Sequence, residues 1–193
     1  MFGISVTDRC HMILAQYISP GDTVIDCTCG NGGDTLFLAK ATGSSGKVLA
    51  FDVQEQAINN TRTLLKGHGL ESNVILIHDS HDDLKNNFDR LSKQTDLKKP
   101  SVIMFNLGYL PGADHEKVTE TKSTISAVKQ SLGLLADGGI LSVITYPGHD
   151  EGACEDAELS QLFSELSPAS SEVLVIDQHN RAKAPKMYLV KNR

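Results

Sequence analysis

The chain has 193 residues, 40% of them hydrophobic, and a formal net charge of −6 at pH 7. This length can bury one sizeable core, whereas the acidic balance excludes a global basic field of the kind that binds nucleic acid non-specifically. No apolar run reaches the length of a membrane span, no C-x-x-C pair indicates a zinc site or a disulfide framework, and the first residues lack a secretory signal pattern. We therefore expect one domain over residues 1–193, with no membrane and no metal partner.

Hydrophobic periodicity predicts strands that alternate with helices along the chain. We expect helices over 7–18, 33–41, 54–67, 81–92, 120–136 and 153–166, and strands over 23–27, 47–52, 73–77, 101–106, 139–146, 172–177 and 186–191. Such alternation predicts an α/β fold with a doubly wound, mostly parallel seven-stranded sheet. Only residues 178–185 separate the last two strands, so these strands are expected to form an antiparallel hairpin.

The first strand runs into a glycine-rich turn and then directly into a helix, which is typical of a nucleotide-cofactor loop. Carboxylates at Asp26 and Asp34 disfavour the pyrophosphate of a dinucleotide and favour S-adenosylmethionine, which carries a sulfonium and an ammonium group. Alternatively, Gly30 and Gly32 only form a strand-helix turn, with Asp34 stabilising the helix N-terminus. The cofactor contacts predicted from this stretch are Asp26, Thr28, Gly30, Asn31, Gly32, Asp34 and Thr35.

Polar residues also end the second and third predicted strands. Asp52 is placed to accept hydrogen bonds from ribose hydroxyls, with Gln54 beside it. Asp79, Ser80 and His81 are candidates for holding the adenine ring. The alternative is a helix cap, formed by Asp52 in the first case and by Asp79 or Ser80 in the second.

The fourth strand ends in Asn106-Leu107-Gly108-Tyr109, which resembles the Asn-Pro-Pro-Tyr loop of amino-group methyltransferases. In that arrangement the Asn side-chain oxygen and the next backbone carbonyl accept hydrogen bonds from the target nitrogen, and the aromatic ring packs on the base. The resemblance assigns these roles to Asn106, Leu107 and Tyr109, with Asn106 also lining the cofactor. Alternatively, Asn106 is a turn former and Tyr109 a packed aromatic residue.

The whole chain resembles the YtqB or MnmM family, long described as ribosomal RNA methylases and later assigned to tRNA. The matching strings lie at residues 24–35, 51–54, 78–81, 105–112 and 146–155. The resemblance implies a Rossmann-like class I methyltransferase fold with S-adenosylmethionine as the methyl donor. It also implies methylation of the aminomethyl nitrogen of 5-aminomethyl-2-thiouridine at the wobble position, in the tRNA anticodon stem-loop.

An aliphatic amine is protonated near neutral pH, so a group must accept a proton before the nitrogen can react. Candidates are Tyr109, Asp114, His115 and His149, or water; His149 is also a candidate hydrogen-bond donor to phosphate or base. A basic patch in the terminal hairpin would compensate locally for the acidic chain. The substrate-binding residues expected together are Tyr109, Asp114, His115, Tyr146, His149, Arg181 and Lys186.

Two alternative functions stay open at this point. One is a methyltransferase that acts on rRNA or on a small-molecule amine, which the acidic charge favours. The other is an NAD-linked oxidoreductase or a nucleotide-binding module without catalysis. We expect a bacterial cytoplasmic protein, or an organellar one if the chain is a trimmed precursor, and the sequence leaves a homodimer open.

Overall fold

The structure, a computed structural model, describes residues 3–108, 121–181 and 183–193. Its strands are β1 (Thr23–Asp26), β2 (Lys47–Asp52), β3 (Val74–His78), β4 (Val102–Asn106), β5 (Ile140–Thr145), β6 (Ser171–Ile176) and β7 (Lys186–Asn192). They form one seven-stranded sheet in the order β3-β2-β1-β4-β5-β7-β6. Strands β1 to β5 pair in parallel, and β7 runs antiparallel to both β5 and β6. The predicted doubly wound sheet and its C-terminal antiparallel hairpin are therefore confirmed.

The helices are α1 (Val6–Leu14), α2 (Gly33–Thr42), α3 (Glu55–His68), α4 (Leu84–Ser92), α5 (Thr121–Leu134) and α6 (Asp150–Ser164). Three predicted helix boundaries are wrong by three residues or more. Helix α1 ends four residues early, because the N–H groups of Gln16 and Tyr17 donate to carbonyls only three residues back. Helix α6 begins at residue 150 rather than 153, because His149 caps its first turn. The start of the predicted 81–92 helix is a separate 3-10 turn, His81–Asp83.

Two apolar layers cover the two faces of the sheet. Alternating residues of β4 show this division, since Ile103 and Phe105 belong to one core cluster whereas Val102 and Met104 belong to the other. Every residue of β5 is buried, as expected for a central strand covered on both faces. The sheet is therefore rigid where its strand ends must hold functional groups.

The strand order reverses between β1 and β4, which both pair with their neighbours in parallel. In doubly wound sheets this switch point opens a crevice at the carboxyl ends of the strands, where ligands bind. Residues 27–32 and residue 106 lie at that edge. Strand β6 runs in the same direction as β1, so the connection 177–185 reaches the same edge.

Within the residues that the structure describes, none of the helices combines the length and the apolar character needed to cross a bilayer.

Candidate functional site

The glycine-rich loop has a conformation that requires its glycines. Gly30 and Gly32 have φ angles of +52° and +87°, in the left-handed region that side chains disfavour. A Cβ atom on Gly32 would also lie 3.0 Å from the Cα of Thr61 in α3. Helix α3 holds the loop through two bonds, from the Thr61 hydroxyl to the Gly30 carbonyl (3.0 Å) and from Asn60 Nδ2 to Asn31 Oδ1 (2.8 Å). The loop is thus preformed.

Asp26 and Thr35 lie beneath this loop and are both fully buried. One carboxylate oxygen of Asp26 accepts the N–H of Thr28 (3.1 Å), and the other accepts the Thr35 hydroxyl (2.6 Å). These bonds join the tip of β1 to the first turn of α2. Burial, and secondarily the charge of Asp34, raises the pKa of Asp26 to about 7. The geometry gives Asp26 and Thr35 a shaping role, and direct contact with a cofactor stays a prediction.

The raised pKa of Asp26 makes stability depend on pH. Between its unfolded value of 3.8 and its folded value of about 7, the folded state binds more protons than the unfolded state. The free energy of unfolding therefore falls as pH rises through this window, by on the order of 4 kcal/mol at most. Asp26→Asn should flatten this dependence, as measured by urea unfolding at pH 5, 6, 7 and 8.

Asp137→Asn is the matched control, because Asp137 is exposed. It should leave the slope of stability against pH as in the wild type. Equal slopes of the free energy of unfolding against pH in the Asp26 variant and the wild type would contradict this prediction. They would show that the buried carboxyl of Asp26 does not control the pH dependence of stability.

Asp52 stands at the tip of β2 and closes the other side of the loop. One of its oxygens accepts the N–H of Gly30 and the other accepts the N–H of Gln54, both at 2.9 Å. An ionised carboxylate has about four acceptor positions, so acceptor capacity remains for two hydroxyl groups. The structure thus brings the glycine loop and Asp52 together, and this geometry fits a ribose.

Ser80 and His81, predicted to hold adenine, have clear structural roles. Ser80 caps the 3-10 turn. His81 is 6% exposed, donates from Nδ1 to the Cys27 carbonyl (3.1 Å) and packs edge-on against Phe105. Burial lowers its pKa, so the ring is neutral and Nε2 is an acceptor. This buried atom has no hydrogen-bond partner among the described residues, which leaves one acceptor for a donor such as an exocyclic amine.

Three hydrogen bonds fix Asn106 at the tip of β4. Its N–H donates to the Thr28 hydroxyl (2.8 Å), and its Nδ2 donates to Asp34 Oδ2 (2.9 Å). Its Oδ1 accepts the Tyr146 hydroxyl (2.8 Å). A carbonyl oxygen can accept two bonds, so Oδ1 retains one acceptor position. The next residue, Leu107, is fixed by donating its N–H to the Ile144 carbonyl (2.9 Å).

Gly108 departs from the Asn-Pro-Pro-Tyr pattern, and its neighbour Tyr146 explains the departure. A Cβ atom at residue 108 would lie 3.3 Å from Cε2 of the Tyr146 ring. Glycine therefore leaves room for the tyrosine that bonds to Asn106. Burial raises the pKa of Tyr146, so its hydroxyl stays protonated and able to donate. The predicted residues Tyr109, Asp114 and His115 lie outside the described residues.

His149 caps α6 through its ring. Nδ1 accepts the N–H of Gly152 at 3.1 Å, so Nε2 carries the hydrogen in the neutral ring. A Cβ atom on Gly152 would collide with the carbonyl of Tyr146, and buried Glu155 accepts the hydroxyl of Thr124 at 2.7 Å. These contacts explain the Gly-His-x-x-Gly-x-x-Glu spacing. The catalytic role of His149 stays a prediction.

The two basic residues predicted to meet tRNA differ in their surroundings. Lys186 Nζ lies 2.6 Å from Oδ2 of Asp156, which is 5% exposed and also accepts the hydroxyls of Thr145 and Tyr188. The charge of Lys186 is therefore balanced within the protein, and this lysine offers a polyanion less than the sequence predicts. Arg181 is exposed in the connection between β6 and β7, at the same edge of the sheet as the carboxyl ends of the parallel strands.

A family model described as "Putative rRNA methylase" matches residues 48–192. The chain belongs to this rRNA methylase family. The match confirms the family predicted from the sequence motifs, and it includes Asp52 and Asn106.

Individual relatives of this rRNA methylase family member cover nearly the whole chain. A chloroplastic tRNA (mnm5s2U34)-methyltransferase of Arabidopsis thaliana is 34% identical over 200 residues, covering 97% of this chain and 69% of that protein. A Clostridium thermocellum structure with the same rRNA methylase description is 34% identical with a TM-score of 0.90, and each chain is covered in full. A Streptococcus mutans methyltransferase solved in complex with SAH is 30% identical with a TM-score of 0.82, again over both full chains. The predicted Rossmann-like class I methyltransferase fold is confirmed.

Several residues that shape the site of this rRNA methylase family member escaped the sequence analysis. They lie on helices that pack against the crevice, and they are Thr7, Asn60, Thr61, Thr124 and Asp156. None belongs to a motif whose chemistry stands out in the sequence. Only the packing of α1, α3, α5 and α6 against the strand ends brings them to the site.

Proposed function

We propose that this protein transfers a methyl group from S-adenosylmethionine to the aminomethyl nitrogen of 5-aminomethyl-2-thiouridine at the tRNA wobble position. The observation that carries the proposal is the fixed amide of Asn106, whose oxygen is held at the switch point of the sheet. Likeness to the Arabidopsis tRNA methyltransferase over 97% of the chain supports the same substrate. We propose that residues 1–193 act as one methyltransferase domain.

The residues at the crevice fit this cofactor better than a dinucleotide. Asp26, Asp34 and Asp52 lie close enough that the charges of Asp34 and Asp52 both raise the pKa of Asp26, after burial itself. Such a cluster attracts a cationic ligand and repels a pyrophosphate. When bound, the cofactor supplies an electrophilic methyl group. The residues proposed to surround it are Asp26, Thr28, Gly30, Asn31, Gly32, Asp34, Thr35, Asp52, Gln54, Ser80, His81 and Asn106.

Alignment of the target amine is the main task of the protein. Asn106 Oδ1 and the Leu107 carbonyl accept hydrogen bonds from the amine, which directs its lone pair toward the methyl group. The same oxygens stabilise the positive charge that builds on nitrogen. We propose that Tyr109 packs on the base and that Tyr109, Asp114, His115 or water accepts the proton. His149, with Nδ1 engaged by Gly152, donates to the RNA.

The partner in this proposal is the anticodon stem-loop of tRNA. We propose Tyr109, Asp114, His115, Tyr146, His149, Arg181 and Lys186 as its contacts, with Lys186 contributing least because of its bond to Asp156. The Arabidopsis relative is chloroplastic, so an organelle is proposed beside the bacterial cytoplasm. A homodimer is proposed as the assembly to test by light scattering.

The decisive experiment is mass spectrometry of tRNA nucleosides after incubation with the methyl donor. We expect loss of 5-aminomethyl-2-thiouridine and gain of its methylaminomethyl form. Unchanged nucleosides would contradict the proposal. Methyl transfer to rRNA or to a free amine in parallel incubations would instead support the alternative substrates. Calorimetry with S-adenosylhomocysteine and with NAD distinguishes the oxidoreductase alternative, because only the first ligand should bind.

Arg181→Ala should weaken tRNA binding by about 3- to 10-fold, because one phosphate contact and its counterion release are lost. Filter binding measures the effect, and calorimetry should show unchanged affinity for S-adenosylhomocysteine. Lys99→Ala is the control: Lys99 is equally exposed but precedes β4, at the opposite edge of the sheet. Equal tRNA retention in both variants would remove Arg181 from the binding surface.

A further inference from the structure

We infer that helix α1 positions the reacting amide, with Thr7 and His11 holding Asn106 in one orientation through Tyr146 and Asp34. This inference rests on the proposed function of Asn106. The two α1 residues are four apart and so lie on the same face of the helix. Neither was predicted to act on the reaction.

The first connection runs from α1 through α2 to β4. His11 Nε2 lies 2.6 Å from Asp34 Oδ1, and Asn106 Nδ2 lies 2.9 Å from Asp34 Oδ2. An ionised carboxylate only accepts hydrogen bonds, so His11 and Asn106 both donate to it. The His11 ring is itself held by stacking on Phe37, with centroids 4.0 Å apart and planes 9° apart.

The second connection runs from the same turn of α1 to the other side of the amide. The side chain of Thr7 is within hydrogen-bonding reach of the Tyr146 hydroxyl, which donates to Asn106 Oδ1 at 2.8 Å. A single hydroxyl hydrogen on Tyr146 is thereby committed to Asn106, so Thr7 is the donor in its own bond. The bonds form a ring that begins and ends on α1 and encloses the Asn106 amide.

The orientation of this amide decides its chemistry. The terminal torsion of Asn is broad and roughly two-fold, so the oxygen and the NH2 group can exchange places unless neighbours distinguish them. With its oxygen toward the amine, Asn106 accepts a hydrogen bond; after a flip it would present donors instead. An acceptor at Asp34 and a donor at Tyr146 exclude the flipped state, because both bonds would be lost.

Helix α1 is fixed well enough to serve this purpose. Cys10 and Leu14 are 0% exposed, and Cys10 Sγ lies 3.0 Å from the Ser142 hydroxyl on β5. Strand β5 is followed directly by Tyr146, so helix and tyrosine share one support. Thr7 and His11 are positioning residues, since they act on the substrate only through Tyr146, Asp34 and Asn106.

Two substitutions of His11 separate hydrogen bonding from packing. His11→Phe keeps the stack on Phe37 but removes the donor, and kcat for tRNA methylation should fall about 10-fold or more, with KM for the methyl donor within about 3-fold. His11→Gln keeps a donor and loses the stack, and kcat should stay within about 3-fold of wild type. Thr7→Val, which removes the hydroxyl donor, and Thr7→Ser, which keeps it, form the equivalent pair at the Thr7 end of this set of hydrogen bonds.

A second readout does not depend on activity. The side-chain amide signals of Asn106 in ¹⁵N-labelled protein should shift in His11→Phe and Thr7→Val, and should stay in place in Met12→Ala, an exposed α1 control. Wild-type kcat in His11→Phe, or equal losses in the Phe and Gln variants, would overturn the inference. If wild-type protein fails to methylate tRNA, the proposed function fails, whereas unmoved Asn106 signals would refute the positioning role by themselves.

Discussion

Asn106→Ala is expected to lower kcat for methyl transfer by about 10²- to 10³-fold, the usual effect of removing one group that stabilises charge in the transition state. The variant loses the oxygen that aligns the amine, while its backbone bond to the Thr28 hydroxyl remains. Affinity for S-adenosylhomocysteine should therefore change much less than kcat. Single-turnover methylation with saturating methyl donor measures the first effect, and calorimetry measures the second.

Tyr146→Phe is the control for this prediction. It removes the hydroxyl that bonds to Asn106 Oδ1 but keeps the ring against Gly108. Its loss in kcat should be about 10-fold, smaller than that of Asn106→Ala because the amide itself remains. If Asn106→Ala retained near wild-type kcat, the amine would have to be aligned by other groups, and the role given to Asn106 would be wrong.

Gly32→Ala should destabilise the protein by about 2–5 kcal/mol and abolish measurable binding of S-adenosylhomocysteine. The φ angle of +87° costs a side chain about 1–2 kcal/mol. The new Cβ would also lie 3.0 Å from the backbone of α3, where overpacking adds about 1–3 kcal/mol. Relief of this contact moves the loop away from α3. Urea unfolding and calorimetry test the two effects.

Gly33→Ala is the matched control in the adjacent position. No atom lies within 4 Å of a Cβ at residue 33, and its backbone is already helical. The substitution should stabilise the protein by about 0.5–1 kcal/mol, because it restricts the unfolded chain. Similar stability losses in the two variants would mean that the left-handed geometry at residue 32 does not shape the loop.

Much of the fold followed from local patterns. The nearly continuous apolar run at 140–146 is typical of a central strand, and all six residues of β5 (Ile140–Thr145) are buried. The short connection before residue 186 predicted the terminal hairpin, which β6 and β7 form. The meeting of the glycine loop with Asp52 was also predictable, because parallel strands bring their carboxyl ends to one edge.

The remaining features depend on contacts between distant parts of the chain. Asn106 and Asp34 are 72 residues apart, and Lys186 and Asp156 are 30 apart. No periodicity reports such pairs, so the sequence predicts Lys186 as an RNA contact and does not show its bond to Asp156. The catalytic role of His149 stays a prediction, whereas its capping of α6 depends on a helix start that the sequence pattern places three residues late.

The bond between Lys186 and Asp156 bears on how an acidic protein selects its RNA. A lysine that is paired with an internal carboxylate attracts phosphate only weakly at long range. Ribosomes and unmodified transcripts would therefore dissociate rapidly from this edge of the sheet. Under the proposed function, discrimination then depends on the modified nucleoside itself. Weak binding of the RNA backbone would also let the methylated product dissociate quickly.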